Sequence, residues 1–296
     1  MADSNDTGVD QVIHAIGQHE NVSAHRVDPN DIGDGTTFLT AQIVGKSATF
    51  CVASKQGHTQ ADQIRSVWWR PPASTLDGWG TLEALLYTCP DLFWIGSPER
   101  THALSSPARN FLMAARAGLQ TPKVEIHAEP GALFEVMGRW GGRVRMLSWG
   151  GYPFGTGGGI DDLMAAQPVI FQQDVRDATH RVTVVYVHGQ TFAGRAELPD
   201  SPLRFKSDPP RRPQPMEAFF DLPESIVKSV ARLCQMFMGG TFLGLKYLML
   251  HFLVADDQWV FDTVEPCGDF WPLEEATRQP ISQAVANLLV TGQAWE

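Results

Sequence analysis

The stretch WVFDTVEPCGDFWPLE, Trp259 to Glu274, decides how the rest of the chain is read. Its first seven residues read as a β-strand that Pro266 stops. Side chains alternate faces along a strand, so Thr263 and Glu265 share one face and Asp262 takes the other. An acidic strand closing on Glu-Pro invites a Mg²⁺ reading, because that ion takes hard oxygen ligands in a near-octahedral shell. A hydroxyl, Thr263, stands where such a strand wants a second carboxylate.

Working outward, Lys246 to Ala255 forms the partner strand, turning at Asp256-Asp257. It carries His251, whose imidazole suits Zn²⁺ or Ni²⁺ better than Mg²⁺. His251, Glu265, Cys267 and Asp269 include residue types that ligate transition metals, but their spacing matches no strong ligand pattern. Upstream, Glu224 to Met238 reads as an amphipathic helix with Ile226, Val227, Val230, Leu233, Cys234 and Phe237 on one face, closed by Gly239-Gly240. A final helix is predicted from Ile281 to Leu289.

The first third reads as a small α/β unit. Val9, Val12, Ile13 and Ile16 recur at helical spacing. Phe38 to Val44 and Ala48 to Ala53 form a hairpin around Gly45-Lys46, and SVWWR (Ser66 to Arg70) is a short strand stopped by Pro71-Pro72. Trp68, Trp69 and Arg70 are candidates for packing at a domain boundary. Next come a helix from Pro107 to Ala117, a short strand after Pro122 and a strand from Arg143 to Trp149. Six glycines lie between Gly150 and Gly159, a composition that lets backbone N–H groups approach phosphate oxygens or simply makes a solvated connection. PVIFQQDV and HRVTVVYVHGQTFAGRAE are β-rich, the second a hairpin at His188-Gly189. Pro202 to Pro215 is a Pro/Arg-rich loop that includes Arg204, Lys206, Arg211 and Arg212.

The 296 residues carry a formal net charge of −10 and 43% hydrophobic residues. That suits a globular protein of two or three subdomains and argues against a general nucleic-acid or anionic-membrane binder. No apolar run is long enough to span a bilayer, and four scattered cysteines without a C-x-x-C pair suggest reduced thiols. The expected location is the cytoplasm.

In this order, SVWWR, AARAGLQTP, VRMLS, FQQDV, RVTVV, LGLKYLMLHF, WVFDTVEP and PISQAVANLL, the segments resemble the ATP-grasp ligases that mature ribosomally made peptides, the microviridin or graspetide maturases. The resemblance covers the chain from about Asp6 onward. It implies an α/β (α+β) ATP-grasp fold. Residues 1–104 would form an N-terminal pre-ATP-grasp domain, 105–180 a central lid subdomain and 181–296 a C-terminal catalytic-type subdomain. The family's opening strand has no counterpart in Met1 to Gly8.

The resemblance also implies roles. Arg145 stands where the family places a lysine on the nucleotide phosphates. Gln172, Gln173 and Val175 stand at the ATP-binding segment, and Asp174 at peptide recognition; apart from the resemblance, Arg204 lies in a cationic loop that either meets an acidic peptide or phosphates or is simply solvated. Arg181 matches the arginine that stabilises an acyl phosphate. His251, Thr263 and Glu265 occupy the three Mg²⁺-ligand positions, where the family has Asp, Glu and Asn, so they should grip Mg²⁺ poorly. The implied activity is ATP-dependent ester or amide (macrocyclic) bond formation in a precursor peptide through an acyl phosphate, by a homodimeric enzyme. The alternative is a catalytically impaired relative that binds the precursor peptide or an active partner enzyme.

Overall fold

The longest apolar runs of the sequence become the middle of the largest sheet. The computed structural model describes residues 2, 5–28, 31, 35–44, 47–54, 57–70, 93–97, 101, 103–129, 132–142, 144–147, 169–175, 177–198, 215–236 and 245–292. Arg204, Cys89, Arg143 and the glycine-rich stretch 150–159 lie outside them.

The N-terminal third contains α1 (Thr7–Ile16), the antiparallel β1 (Phe38–Val44), β2 (Ser47–Ser54) and β3 (Gly57–Gln60), and the parallel pair β4 (Ser66–Trp68) and β5 (Phe93–Ile95). The helix α2 (Pro107–Ala117) follows, with Pro107 in its first turn and Gly118 ending it at φ 95°. A three-stranded antiparallel sheet comes next, ordered β6 (Val124–His127), β8 (Val169–Gln173), β7 (Val144–Leu147). Helix α3 (Ala132–Arg139) lies between β6 and β7 in the chain, and its Leu133 and Val136 pack on Val169 and Phe171.

The five-stranded sheet has the order β11 (Met216–Ala218), β10 (Gln190–Glu197), β9 (His180–Val187), β12 (Tyr247–Ala255), β13 (Gln258–Glu265), all antiparallel. Strands β9 and β12 are covered on both faces, which is why their sequences run apolar rather than alternating. On one face, Val182, Val184, Leu250, Phe252 and Phe261 pack on α2 and α4 (Glu224–Met236). On the other, Val185, Val187, Tyr247 and Met249 pack with Trp68, Ile95, Phe270, α1 and α6 (Ile281–Thr291). Helix α5 (Trp271–Thr277) approaches β10 so closely that a Cβ on Gly194 would collide with Leu273 and Met216.

Three contacts stitch the N-terminal third to the last part of the sequence. The Arg70 guanidinium is buried, donates from Nε to Asp6 Oδ2 (2.8 Å) and from Nη1 to the Gly268 carbonyl (3.0 Å), and lies over the Trp68 ring. Trp68 in turn packs on Tyr247 and Phe270. Ser66 Oγ donates to the Leu289 carbonyl.

Several elements differ from the sequence reading. Strands β3, β5 and β11 and helices α3 and α5 were not anticipated, being only three to eight residues long. The last helix runs two residues past Leu289, to Thr291, because the chain turns left-handed only at Gly292 (φ 66°). Among the described residues, no helix is long and apolar enough to cross a membrane.

Candidate functional site

Four strands from two sheets bring their polar residues to one place. The decisive element is an irregularity in β13. His251 pairs with Thr263 and Phe252 with Phe261, so one step on β12 spans two on β13 and Asp262 is the extra residue. Such a bulge resets the alternation of side chains. Phe261 packs in the core on the α2 and α4 side, whereas the Asp262 carboxylate meets Arg181, which belongs to the opposite face with His251. The strand-alternation rule had turned Asp262 away from Thr263 and Glu265; the bulge overturns that expectation.

Asp262 is 4% exposed, and guanidinium groups flank both its oxygens. Arg145 Nη2, from β7, lies 3.0 Å from Oδ1. Arg181 Nη2, from β9, lies 3.8 Å from Oδ2. The buried Gln172 amide, from β8, donates to Oδ1 over a long 3.5 Å. Asp262 therefore bridges the three-stranded and five-stranded sheets. The two guanidinium side chains are 38% and 42% exposed, so their heads reach solvent from a buried root. Among the described residues, three polar atoms at this junction are buried with no hydrogen-bond partner: Arg145 Nε, Arg181 Nε and Gln172 Oε1. Buried polar groups ordinarily find partners, so these atoms retain unmet hydrogen-bonding capacity.

His251 is buried beside this cluster. Its Nδ1 lies 3.0 Å from Thr183 Oγ1 and its Nε2 lies 3.4 Å from Glu265 Oε1. Burial pushes its pKa below the usual histidine value, the Glu265 hydrogen bond opposes that, and the Arg181 charge adds to the lowering. A neutral ring satisfies both neighbours when Nε2–H donates to the Glu265 carboxylate and Nδ1 accepts the Thr183 hydroxyl proton. That arrangement leaves the imidazole no lone pair for a metal. Glu265 is half-exposed at the end of β13, and Thr263 is half-buried beside His251.

The other expected residues sit near by. Gln173 ends β8 and donates its backbone N–H to the Lys123 carbonyl, and Asp174 and Val175 follow, all half-buried. Cys267 is turned away, its thiol donating to the Trp69 carbonyl, and burial raises its pKa to about 11. Among the described residues, no three His, Cys, Asp or Glu side chains come together as a metal site. Asp262 and Thr183 are the members that sequence reasoning missed. A signal for Asp262 existed: two consecutive polar residues, Asp262-Thr263, break the polar-apolar alternation expected of a strand, as a bulge does.

No family model matches the sequence, and no curated protein matches it. Solved structures do match. The macrocyclase MdnB from Microcystis aeruginosa MRC superposes with a TM-score of 0.79 at 22% identity, covering 98% of this chain and 98% of that one. A RiPP-associated ATP-grasp ligase from Chryseobacterium gregarium, in complex with ADP and a leader and core peptide, gives 0.76 at 15% identity, covering 99% and 96%. The chain has the ATP-grasp fold. Macrocyclase MdnC from Microcystis aeruginosa MRC, bound with precursor peptide MdnA, gives 0.73 at 18% identity, covering 98% of each chain.

The ATP-grasp fold implies a nucleotide and a divalent cation, and the residues present fit the two unequally. The paired guanidiniums and the unpartnered Nε–H groups of Arg145 and Arg181 suit a phosphate chain. The donor set does not suit Mg²⁺. Asp262 is engaged by two cations, His251 is committed at both nitrogens, and Thr263 is neutral, which leaves Glu265 as the one anionic donor at the expected positions.

Proposed function

We propose that the protein is an ATP-dependent ligase that closes ester or amide linkages within a ribosomally made precursor peptide. The observation that carries this reading is the convergence of Arg145 and Arg181, from two different sheets, on one buried junction with the Gln172 amide. Bound ATP would supply the phosphoryl group that activates a side-chain carboxylate of the peptide as an acyl phosphate. A hydroxyl or amine of the same peptide then displaces phosphate, two easier steps replacing one difficult one. Arg145 would hold the nucleotide phosphates, and Arg181 would offset the charge gathering on the acyl phosphate. Gln172, Gln173 and Val175 would line the nucleotide, and Asp174 and Arg204 would meet the peptide. The solved proteins of like fold whose descriptions name a precursor, leader or core peptide support the substrate class. No step is assigned to a metal, because the donor set does not fit one.

The test incubates the protein with ATP and a candidate precursor peptide and follows the peptide by mass spectrometry. The expected result is the loss of one water mass per linkage, dependent on ATP and abolished in Arg181→Ala. ATP left unbound at millimolar concentration would refute the reading. A second reading, a catalytically impaired relative that holds the peptide or an active partner enzyme, is favoured by one observation: Asp262 occupies both arginines. It predicts peptide binding without any mass change.

A further inference from the structure

Asp262 makes the arginine pair electrically neutral only in part. Two guanidinium charges share one carboxylate, and both guanidiniums keep an Nε–H buried without a partner. Glu265, the next anion, is turned toward His251. The side chains that should hold a divalent cation are thus spent on each other, while the cationic groups that can hold phosphate are kept in place by a carboxylate of the chain itself.

We infer that this junction binds a polyphosphate anion without a divalent cation, and that Asp262 is a resident counter-ion which the anion displaces from Arg145 and Arg181. The inference rests on the nucleotide reading of the same site and adds to it a charge mechanism. An ion-paired carboxylate keeps the two guanidiniums oriented and their sheets apposed when no anion is present. An arriving phosphate chain offers more oxygens in the same fork geometry and takes over both guanidiniums. Asp262 then competes with the ligand rather than assisting it. A metal ligand would behave in the opposite way, since losing it would weaken a nucleotide held through its cation.

The experiment is calorimetric titration of the full chain with tripolyphosphate and with ATP, each in EDTA and in excess Mg²⁺, for wild type and Asp262→Asn. The expected result is wild-type binding of tripolyphosphate in EDTA that Mg²⁺ does not tighten. Asp262→Asn should bind about tenfold more tightly, the amide keeping the hydrogen-bonding shape while removing the competing charge. Binding confined to Mg²⁺, or weaker binding by a folded Asp262→Asn with an unchanged melting temperature, overturns the inference. Were Asp262→Asn not to fold, the wild-type comparison of EDTA with Mg²⁺ decides alone. The two readings separate cleanly. Tripolyphosphate bound in EDTA with ATP refused keeps the counter-ion and defeats the ligase. ATP bound only with Mg²⁺ keeps the ligase and defeats the counter-ion. No polyphosphate bound by any variant defeats both.

Discussion

A single buried imidazole shows how strongly one residue feels its neighbours. His251 sits in a strand that is otherwise apolar, and the fold favours its neutral form. The unfolded chain takes up a proton at the ordinary histidine value, about 6.5, before the folded chain does. The stability His251 contributes is therefore complete above that pH and is lost as pH falls through its lower folded value. His251→Leu should flatten this part of the pH dependence. The measurement is the urea midpoint of both proteins at about pH 7.5 and 5.5, and the wild type should lose more between them. At the same scale, Arg70→Ala strips the ion-pair partner from Asp6 Oδ2 and leaves the Gly268 carbonyl to the Tyr247 hydroxyl alone, and should cost about 3–5 kcal/mol by denaturant titration. Residue types foretold the charge of the site and little of its wiring. Arg145 and Arg181 were named from their segments, whereas their common partner Asp262 was dismissed by a rule that holds only in an unbroken strand.

Secondary structure was legible where periodicity is long. The α1 stripe, the α4 stripe and the β12–β13 hairpin all fall where the sequence places them. The short elements were not legible. Strand β5 has three residues and is fixed by pairing to β4, some twenty-seven positions earlier, through a register no local pattern encodes. The bulge is a second case, because it is set jointly by two strands and by the arginines that claim Asp262. One hairpin invites a direct test. Asp256 and Asp257 both hold left-handed backbone, with φ of 45° and 64°. Replacing them with Asn-Gly, which tolerates that conformation, should stabilise the protein by about 1 kcal/mol, read as a higher urea midpoint with an unchanged slope.

At the scale of the molecule, the two halves of the candidate site belong to separate sheets, and Asp262 is the charge that joins them. The sequence order of segments was enough to reach the ATP-grasp fold, because each segment keeps its type and place even where its polar residues change. The first helix and the last are packed together, with Val9 and Val12 in one core with Ile281, Val285 and Leu288. Arg65 and Ser66 also bond to the carbonyls of Val290 and Leu289. A chain cut after Gln279 should therefore expose the N-terminal third to limited proteolysis while the strands around β9 and β12 resist it longer. The same closure governs how the protein is made. Helix α1 is synthesised well over two hundred residues before the helix that covers it, α6. A nascent chain therefore carries the apolar face of α1 uncovered until α6 has been made, and its dependence on holding chaperones should persist until then.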